Sequence, residues 1–253
     1  MPDETSRQRV YELIQRVFAA NPQSSRQQFI EIIRRVVEAP TDDLIELARI
    51  AGLNPTQDFV AANLSSTILY GSDLSGANLS AAALINADLR RADLSGATLI
   101  RANLNSALLD EAMLTSADLS DAKLICTSAI AAHLTDIRAT SANLTGADLQ
   151  EAILFNADLR RATLVEAQLQ RTNLRNANLS HASLRWADLT EANLRGANLY
   201  GVDLCGARLH SVMLHDADLA GVEVDRQTRF SQSQGLSPEQ RRDLIQKGAM
   251  FED

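Results

Sequence analysis

Hydrophobic and small residues recur every five positions over most of this chain. Residues 87–104 read ADLRRADLSGATLIRANL, where an alanine and a leucine return without a slip. From residue 64 to residue 224 a hydrophobic residue, nearly always leucine, stands at every number ending in 4 or 9, and the residue two positions earlier is usually alanine. This strict register indicates repeated structural units that bury a face against their neighbours.

Neither regular secondary structure can use a five-residue period. On an α-helix a five-residue step rotates the side chain by about 140°, so the leucines would scatter around the helix. On a continuous strand side chains alternate between two faces, so successive leucines would point to opposite sides. The chain must therefore turn once in each pentapeptide, with alanine leaving room at the turn and leucine filling the interior. Stacked turns would then pair as parallel strands about 4.8 Å apart.

The repeated motif is A(D/N)Lxx, as in ADLSG at 92–96, ANLRG at 192–196 and ANLYG at 197–201. It resembles the pentapeptide-repeat protein family. The resemblance implies a mainly β solenoid over residues 59–224, namely a right-handed quadrilateral β-helix with four pentapeptides per coil and about eight coils. The helical N-terminal segment and the tail GLSPEQRRDLIQKGA resemble those of cyanobacterial members.

The segment 1–58 lacks the period and predicts a small α-helical domain. Hydrophobic residues at helical spacing predict helices over 6–20 and 24–38. A third helix is predicted from an N-cap at Thr41 to a stop at Gly52. We expect this domain to dock on the first coil, with Phe59 and Val60 at the junction, where it would cover an open strand edge.

Residues 225–253 predict a C-terminal helical cap. Ser237-Pro238-Glu239 is typical of a helix start with proline at the first position. Four side chains of this segment are expected to cover the last coil: Leu244, Ile245, Met250 and Phe251. Some members of the family pair through this tail, so either a monomer or a homodimer through the C-terminal tail is predicted.

One interior segment departs from the motif while keeping the five-residue spacing. Within residues 124–144, Ala129 and Ala139 stand at leucine positions and Ile137 stands at an alanine position. Either the coil continues with altered packing, or residues 125–141 form a projecting loop of the kind that often carries binding.

Composition favours a cytoplasmic protein without catalytic chemistry. The formal net charge is −8, the N-terminus lacks the hydrophobic segment of a signal peptide, and no apolar run approaches the roughly 20 residues that span a bilayer. Cys126 and Cys205 are expected to be free thiols, because they fall about four coils apart. His210 and His215 lack a third ligand, and a core of leucine and alanine is expected to hold no pocket. We therefore predict no enzyme, no catalytic residue, no cofactor, no metal and no membrane contact.

The outer surface must then carry the function, and a protein-interaction scaffold with an unknown protein partner is the first hypothesis. Assuming four sides, Ile85, Ile125 and Val165 share one position of one side, with Arg185 and Trp186 close by, and they predict an apolar partner site. The strip is interrupted by polar residues, so scattered surface hydrophobes are an equal alternative. A basic belt is also predicted, although a solvated mixed-charge surface explains it as well; its residues are Arg160, Arg161, Arg171, Arg175 and Arg195.

The alternative hypothesis comes from the family, some members of which bind DNA gyrase or other type II topoisomerases by mimicking DNA. Duplex DNA carries one charge per about 1.7 Å, so a rod about 40 Å long would need about 23 uncompensated negative charges. Residues 60–224 hold about 18 acidic and about 12 basic residues, a net charge near −6. The array therefore carries too little net negative charge to mimic duplex DNA well. Nucleic-acid binding ranks last, because the chain is acidic and few aromatic residues accompany the arginines.

Overall fold

The structure, a computed structural model, describes residues 4–20 and 26–252. Three helices come first, and short strands and one helix end the chain. In chain order the elements are α1 (Glu4–Ala20), α2 (Arg26–Glu38), α3 (Leu44–Ala51), β1 (Arg208–His210), β2 (Arg229–Ser231), α4 (Pro238–Gln246) and β3 (Met250–Glu252). The predicted domains 1–58 and 225–253 include residues 1–3, 21–25 and 253, which lie outside the described residues, and the domain bounds stay predictions.

Between α3 and β1 the chain forms a long array of turns joined by single β-bridges. With one exception, each bridge outside the named strands is parallel and joins a residue to the equivalent residue four pentapeptides later. The bridged residues fall into four ladders, here named A, B, C and D, which begin at Asn63, Ile68, Asp73 and Asn78. We name the turns between them corners AB, BC, CD and DA. The stacked, regularly bridged array confirms a repeat solenoid.

The array contains bridges in place of longer strands, because each pentapeptide spends most of its length in a turn. The residue just before each alanine adopts a left-handed backbone, as at Arg91 (φ 58°) and Glu191 (φ 61°). A residue other than glycine rarely adopts this conformation. It recurs here because every corner requires it, and hydrogen bonds between coils, such as Leu89 N–H to the Leu108 carbonyl (2.7 Å), hold each corner in place.

The motif's aspartate or asparagine also has a structural role. Its side-chain oxygen accepts a hydrogen bond from the backbone N–H two residues later, as Asp188 does from Thr190 (3.0 Å) and Asn198 from Tyr200 (2.9 Å). This local bond is an Asx turn. Aspartate and asparagine therefore serve the fold equally well and differ in what they display on the surface.

The leucine and alanine positions form one continuous core, and the interior segment continues the coil. Bridges join Ser128 to Asp148 and Arg138 to Asp158 without interruption, so the projecting-loop alternative is wrong. Ala129 and Ala139 are buried, and beside them lies an apolar cavity of about 20 Å³. The expectation of a core without any pocket is therefore also wrong, since two alanines at leucine positions leave space that Ile137 fills incompletely.

The N-terminal helices share this core. Phe59 is fully buried, and Arg9 donates a hydrogen bond to the Ser65 carbonyl of the first coil (3.1 Å). The N-cap of α3 is Asp43, whose carboxylate accepts from Glu46 N–H (2.8 Å). The Thr41 assignment is wrong by two positions, because the Thr41 hydroxyl accepts from Asp43 N–H before the helix begins.

At the C-terminus ladder B continues past residue 224 as a parallel sheet in the order β1-β2-β3. Each coil is one residue longer here, which places Leu209 opposite Phe230 and Phe230 opposite Phe251. The two phenyl rings stack at 4.8 Å. Helix α4 begins with the predicted proline after a capping box, and Leu244 is buried. Ile245 and Met250 are instead half exposed.

Candidate interaction surfaces

The cavity beside Ala129 and Ala139 is too small for a ligand larger than a water molecule. The cavity of about 20 Å³ is large enough for about one water molecule, and its walls are leucine, isoleucine and alanine with a single threonine. Among the described residues no group of three histidine, cysteine or acidic side chains could hold a metal ion. The candidate binding surfaces described below lie on the outside of the array.

The predicted apolar residues line one corner without forming a continuous patch. Ile85, Ile125 and Val165 all lie at corner AB and are half-buried. The intervening coils carry Asn105 and Thr145 there, and Asn105 accepts a hydrogen bond from Ile125 N–H (3.0 Å). The structure thus places the three residues in one line and separates them by polar side chains.

Arg185 and Trp186 lie further along the same corner, where the surface changes. The Trp186 ring lies against Gly206 one coil later, so close that a Cβ there would fall 2.3 Å from the ring. The side chain still exposes 46% of its surface. Arg185 donates to the Asp203 carboxylate (3.1 Å). Trp186 is therefore fixed on one side and available on the other.

A groove of about 690 Å³ opens beside Trp186, over the outer surface of the C-terminal sheet. Arg208 and Arg229 are direct neighbours on β1 and β2. Each arginine forms an ion pair on the side away from the other arginine: Arg208 pairs with Asp188 (3.9 Å) and Arg229 pairs with Glu252 (2.9 Å). The groove thus combines an aromatic wall with a mixed-charge floor.

A hydrogen bond between His210 Nδ1 and Ser231 Oγ (2.7 Å) lines the same groove. Sequence reasoning set His210 aside and missed the contributions of β2 and β3, because the five-residue period breaks before them. The available signal was a repeat one residue longer than four pentapeptides: Arg-Leu-His at 208–210 and Arg-Phe-Ser at 229–231 show the same order of polar, apolar and polar residues.

The five arginines of the predicted basic belt lie at three different corners. Arg160 and Arg161 lie at corner DA, Arg171 at corner BC, and Arg175 and Arg195 at corner CD. The structure therefore does not bring the five together as one belt.

Acidic neighbours neutralise two of the five. Arg160 binds Asp158 through two bonds of 2.7 Å, and this side-chain hydrogen bonding lowers the pKa of the Asp158 carboxyl. Arg171 lies between Glu151 (3.5 Å) and Glu191 (2.9 Å). Arg175 and Arg195 are exposed and lie on adjacent coils of one corner.

The fold and its surface define a class, that of solenoid repeat proteins with a filled core and a patterned exterior. The chain belongs to the pentapeptide-repeat family: the family described as "Pentapeptide repeats" matches in eight copies, over residues 58–96, 92–125, 129–161, 152–190 and 187–223. No curated protein matches the chain. No helix among the described residues is long and apolar enough to cross a membrane.

Several solved structures are similar. HetL from the cyanobacterium Nostoc sp. strain PCC 7120, described as involved in heterocyst differentiation regulation, shares 31% identity over 71% of this chain and 92% of its own, with a TM-score of 0.52. Rfr23 from the cyanobacterium Cyanothece 51142 shares 34% identity over 40% of this chain and 62% of its own (TM-score 0.21). QnrB1, a plasmid-mediated fluoroquinolone resistance protein, shares 21% identity over 71% of this chain and 94% of its own (TM-score 0.33).

Proposed function

We propose that this protein is a non-enzymatic binding scaffold that receives a segment of a protein partner in the groove beside Trp186. The observation that carries the proposal is the groove itself, which at about 690 Å³ is open and has a half-exposed tryptophan as its wall. The few residues that carry most of the binding energy of protein interfaces are enriched in tryptophan, tyrosine and arginine. The rigid array beneath would hold these side chains in place before the partner arrives, which lowers the ordering cost of binding.

A regulatory role is the form of scaffold that the comparisons favour. HetL is described as involved in the regulation of differentiation, and it is similar to this chain over nearly all of its own length. We infer that this chain likewise acts by binding a regulatory protein, in the cytoplasm of a cyanobacterial cell.

The experiment is affinity capture with a matched pair of variants. Trp186→Ser should abolish co-purification of the partner. Tyr200→Ser removes an aromatic side chain of similar exposure (49%) at corner DA and should leave capture intact. Circular dichroism of both variants checks that the array remains folded. Equal capture by the two variants would overturn the assignment of the groove.

The DNA-mimic hypothesis stays a prediction, with less support. Ion pairs join many of the outer arginines to carboxylates, as between Arg91 and Glu111 (2.9 Å) and between Arg185 and Asp203 (3.1 Å). They interrupt the continuous negative surface that a duplex presents. A supercoiling assay with purified DNA gyrase tests it: inhibition or drug protection at low micromolar protein would revive the hypothesis.

The finer features of the fold belong to the same proposal. We infer a right-handed, quadrilateral coil of about eight turns, for which the four ladders spaced by four pentapeptides are the support. Whether the protein is a monomer or a homodimer through the C-terminal tail stays a prediction, and sedimentation equilibrium decides it.

A further inference from the structure

Three kinds of pentapeptide place an arginine directly after the motif leucine, with aspartate, asparagine or serine before that leucine. The serine case is Arg185, which donates to Asp203 (3.1 Å). In Asp-Leu-Arg, at residues 88–90 and 158–160, the arginine folds back on the aspartate of its own pentapeptide. Arg90 reaches Asp88 through bonds of 2.8 and 2.7 Å, and Arg160 reaches Asp158 in the same way. These arginines are therefore neutralised locally.

In Asn-Leu-Arg, at residues 173–175 and 193–195, the amide cannot neutralise the guanidinium. Asn173 Oδ1 accepts from the Arg175 backbone N–H (3.3 Å), and Asn193 Oδ1 accepts from the Arg195 backbone N–H (3.3 Å). Within residues 4–20 and 26–252, neither guanidinium has a hydrogen bond or an ion pair. Both arginines keep their full charge and all of their side-chain donors.

The two arginines are neighbours, because Asn173 and Asn193 are bridge partners on ladder C. Coils lie about 4.8 Å apart, and like charges opposite each other on adjacent strands are destabilising. A bound anion would relieve this repulsion.

The adjoining ladder D adds further donors. Asn178 and Asn198 are bridge partners there, and the Oδ1 atom of each accepts a backbone N–H, from Ser180 (3.1 Å) and Tyr200 (2.9 Å). With the acceptor oxygens occupied, the Nδ2 groups remain as donors. We name this surface the donor patch; its residues are Asn173, Arg175, Asn178, Asn193, Arg195 and Asn198.

We propose that the donor patch binds a short acidic segment of a protein partner, with its carboxylates between Arg175 and Arg195. Arginine binds carboxylates through paired hydrogen bonds, and the surrounding amides supply further donors. The patch lies at corner CD, two corners from the Trp186 groove. The two proposals therefore concern different surfaces and can be tested independently.

The height of the patch limits the length of the ligand. On ladder D, Asp158 precedes Asn178 and Asp218 follows Asn198, so carboxylates bound the patch on both sides. On ladder C the flanking residues are Ile153 and Met213. The donor surface therefore spans two coils, which fits a few acidic residues and not the long phosphate run of a nucleic acid.

The test uses fluorescence anisotropy with a labelled hexaglutamate peptide, and a hexaglutamine peptide and an oligothymidine of similar length as comparison probes. The full chain should bind hexaglutamate, and the affinity should fall as the Debye length shrinks from about 30 Å to about 8 Å. Replacing both arginines, Arg175→Gln with Arg195→Gln, should weaken binding about tenfold or more, because charged hydrogen bonds are lost.

Two further double variants separate the patch from general charge effects. Asn173→Asp with Asn193→Asp recreates the Asp-Leu-Arg sequence that the array already tolerates. The new carboxylates should pair with both arginines and neutralise them, so that binding is abolished while the fold persists. Arg101→Gln with Arg161→Gln removes the same charge from exposed positions at corner DA and should change affinity less than about twofold.

Each contrary result overturns the proposal. Equal losses in the two arginine double variants would mean that hexaglutamate responds to overall charge alone. Full binding by the Asn→Asp double variant would show that the free arginines are not the site. Tighter binding of oligothymidine than of hexaglutamate through the same arginines would assign the patch to nucleic acid.

Discussion

Residues 137–139 invert the usual pentapeptide, and this inversion makes a quantitative prediction. The motif places a small residue two positions before leucine, whereas here Ile137 precedes Ala139. Both side chains line the cavity of about 20 Å³ and both are nearly fully buried. We expect that Ile137 fills the space that a leucine at position 139 would occupy.

The perturbation is a double-mutant cycle at these two positions. Ile137→Ala removes three buried carbons, worth about 2.4 kcal/mol at about 0.8 kcal/mol each. The enlarged cavity adds to this, giving a loss of about 3 kcal/mol. Ala139→Leu alone adds three carbons next to a void of only about 20 Å³. Filling that void gains about 0.5 kcal/mol, whereas overpacking costs about 1–3 kcal/mol, so the single variant should be neutral or destabilised.

The double variant restores the common motif and conserves the number of buried carbons. It should therefore approach the stability of the unmodified chain, with a coupling energy of about 2 kcal/mol or more. Leu179→Ala, at the leucine position of ladder D two coils later, is the control, since it removes three buried carbons at a position that does not line the cavity.

Urea unfolding followed by circular dichroism and by the fluorescence of the single tryptophan measures these differences. The two signals must coincide before free energies are compared, because long repeat arrays can unfold in stages. Additive effects of the two substitutions, or a cost below about 1 kcal/mol for Ile137→Ala, would refute the idea that the isoleucine replaces the missing leucine.

Four further predictions concern two hydroxyl positions, the two thiols and one glycine. Thr127→Val should destabilise by about 1 kcal/mol, since its hydroxyl donates to a carbonyl of the preceding coil (2.8 Å). Thr67→Val should be neutral or stabilising in the same unfolding experiment, because the Thr67 hydroxyl is fully buried without a partner among the described residues. Burial raises the pKa of the Cys205 thiol to about 11, so iodoacetamide near neutral pH should alkylate the exposed Cys126 first; equal rates by mass spectrometry would contradict this. Gly206→Ala should displace the tryptophan ring and shift its emission, because a Cβ there falls 2.3 Å from the ring and the φ of +74° favours glycine; unchanged emission would count against the packing.

The five-residue period predicted the array because burial in each coil depends on two positions of each pentapeptide. The turning of the chain follows from that spacing. Its continuation through residues 125–141 does not, because a loop of a multiple of five residues would keep the same spacing, and only the uninterrupted bridges decide it. The C-terminal sheet was missed for the same reason, since one additional residue per coil places Phe230 and Phe251 out of register with the leucines before them. A period fixed at five cannot detect a ladder whose coils have become one residue longer.

The surface was harder to predict, because the contacts that neutralise a charge are mostly between coils. Arg171 meets carboxylates one full coil away in both directions, which a linear reading does not bring together unless the coil length is known. The apolar strip was predicted from its position in a four-sided coil, and the structure keeps it at one corner with the polar interruptions already visible in the sequence. The basic belt was predicted around neighbouring coils, and the structure distributes its arginines over three corners.

One part of the surface is nevertheless encoded locally. Aspartate and asparagine make the same turn, so the fold does not select between them at the second position of the motif. The two residues differ in their effect on the surface. Aspartate before Leu-Arg pairs with the guanidinium, as at Arg160, whereas asparagine bonds only the backbone N–H and leaves the guanidinium unpaired, as at Arg175. Substitutions at this position can therefore change the charge pattern of the surface without changing the backbone. The array can acquire or lose a binding patch by exchanging one carboxylate for one amide, and the free pair at Arg175 and Arg195 is where both adjacent coils carry the amide.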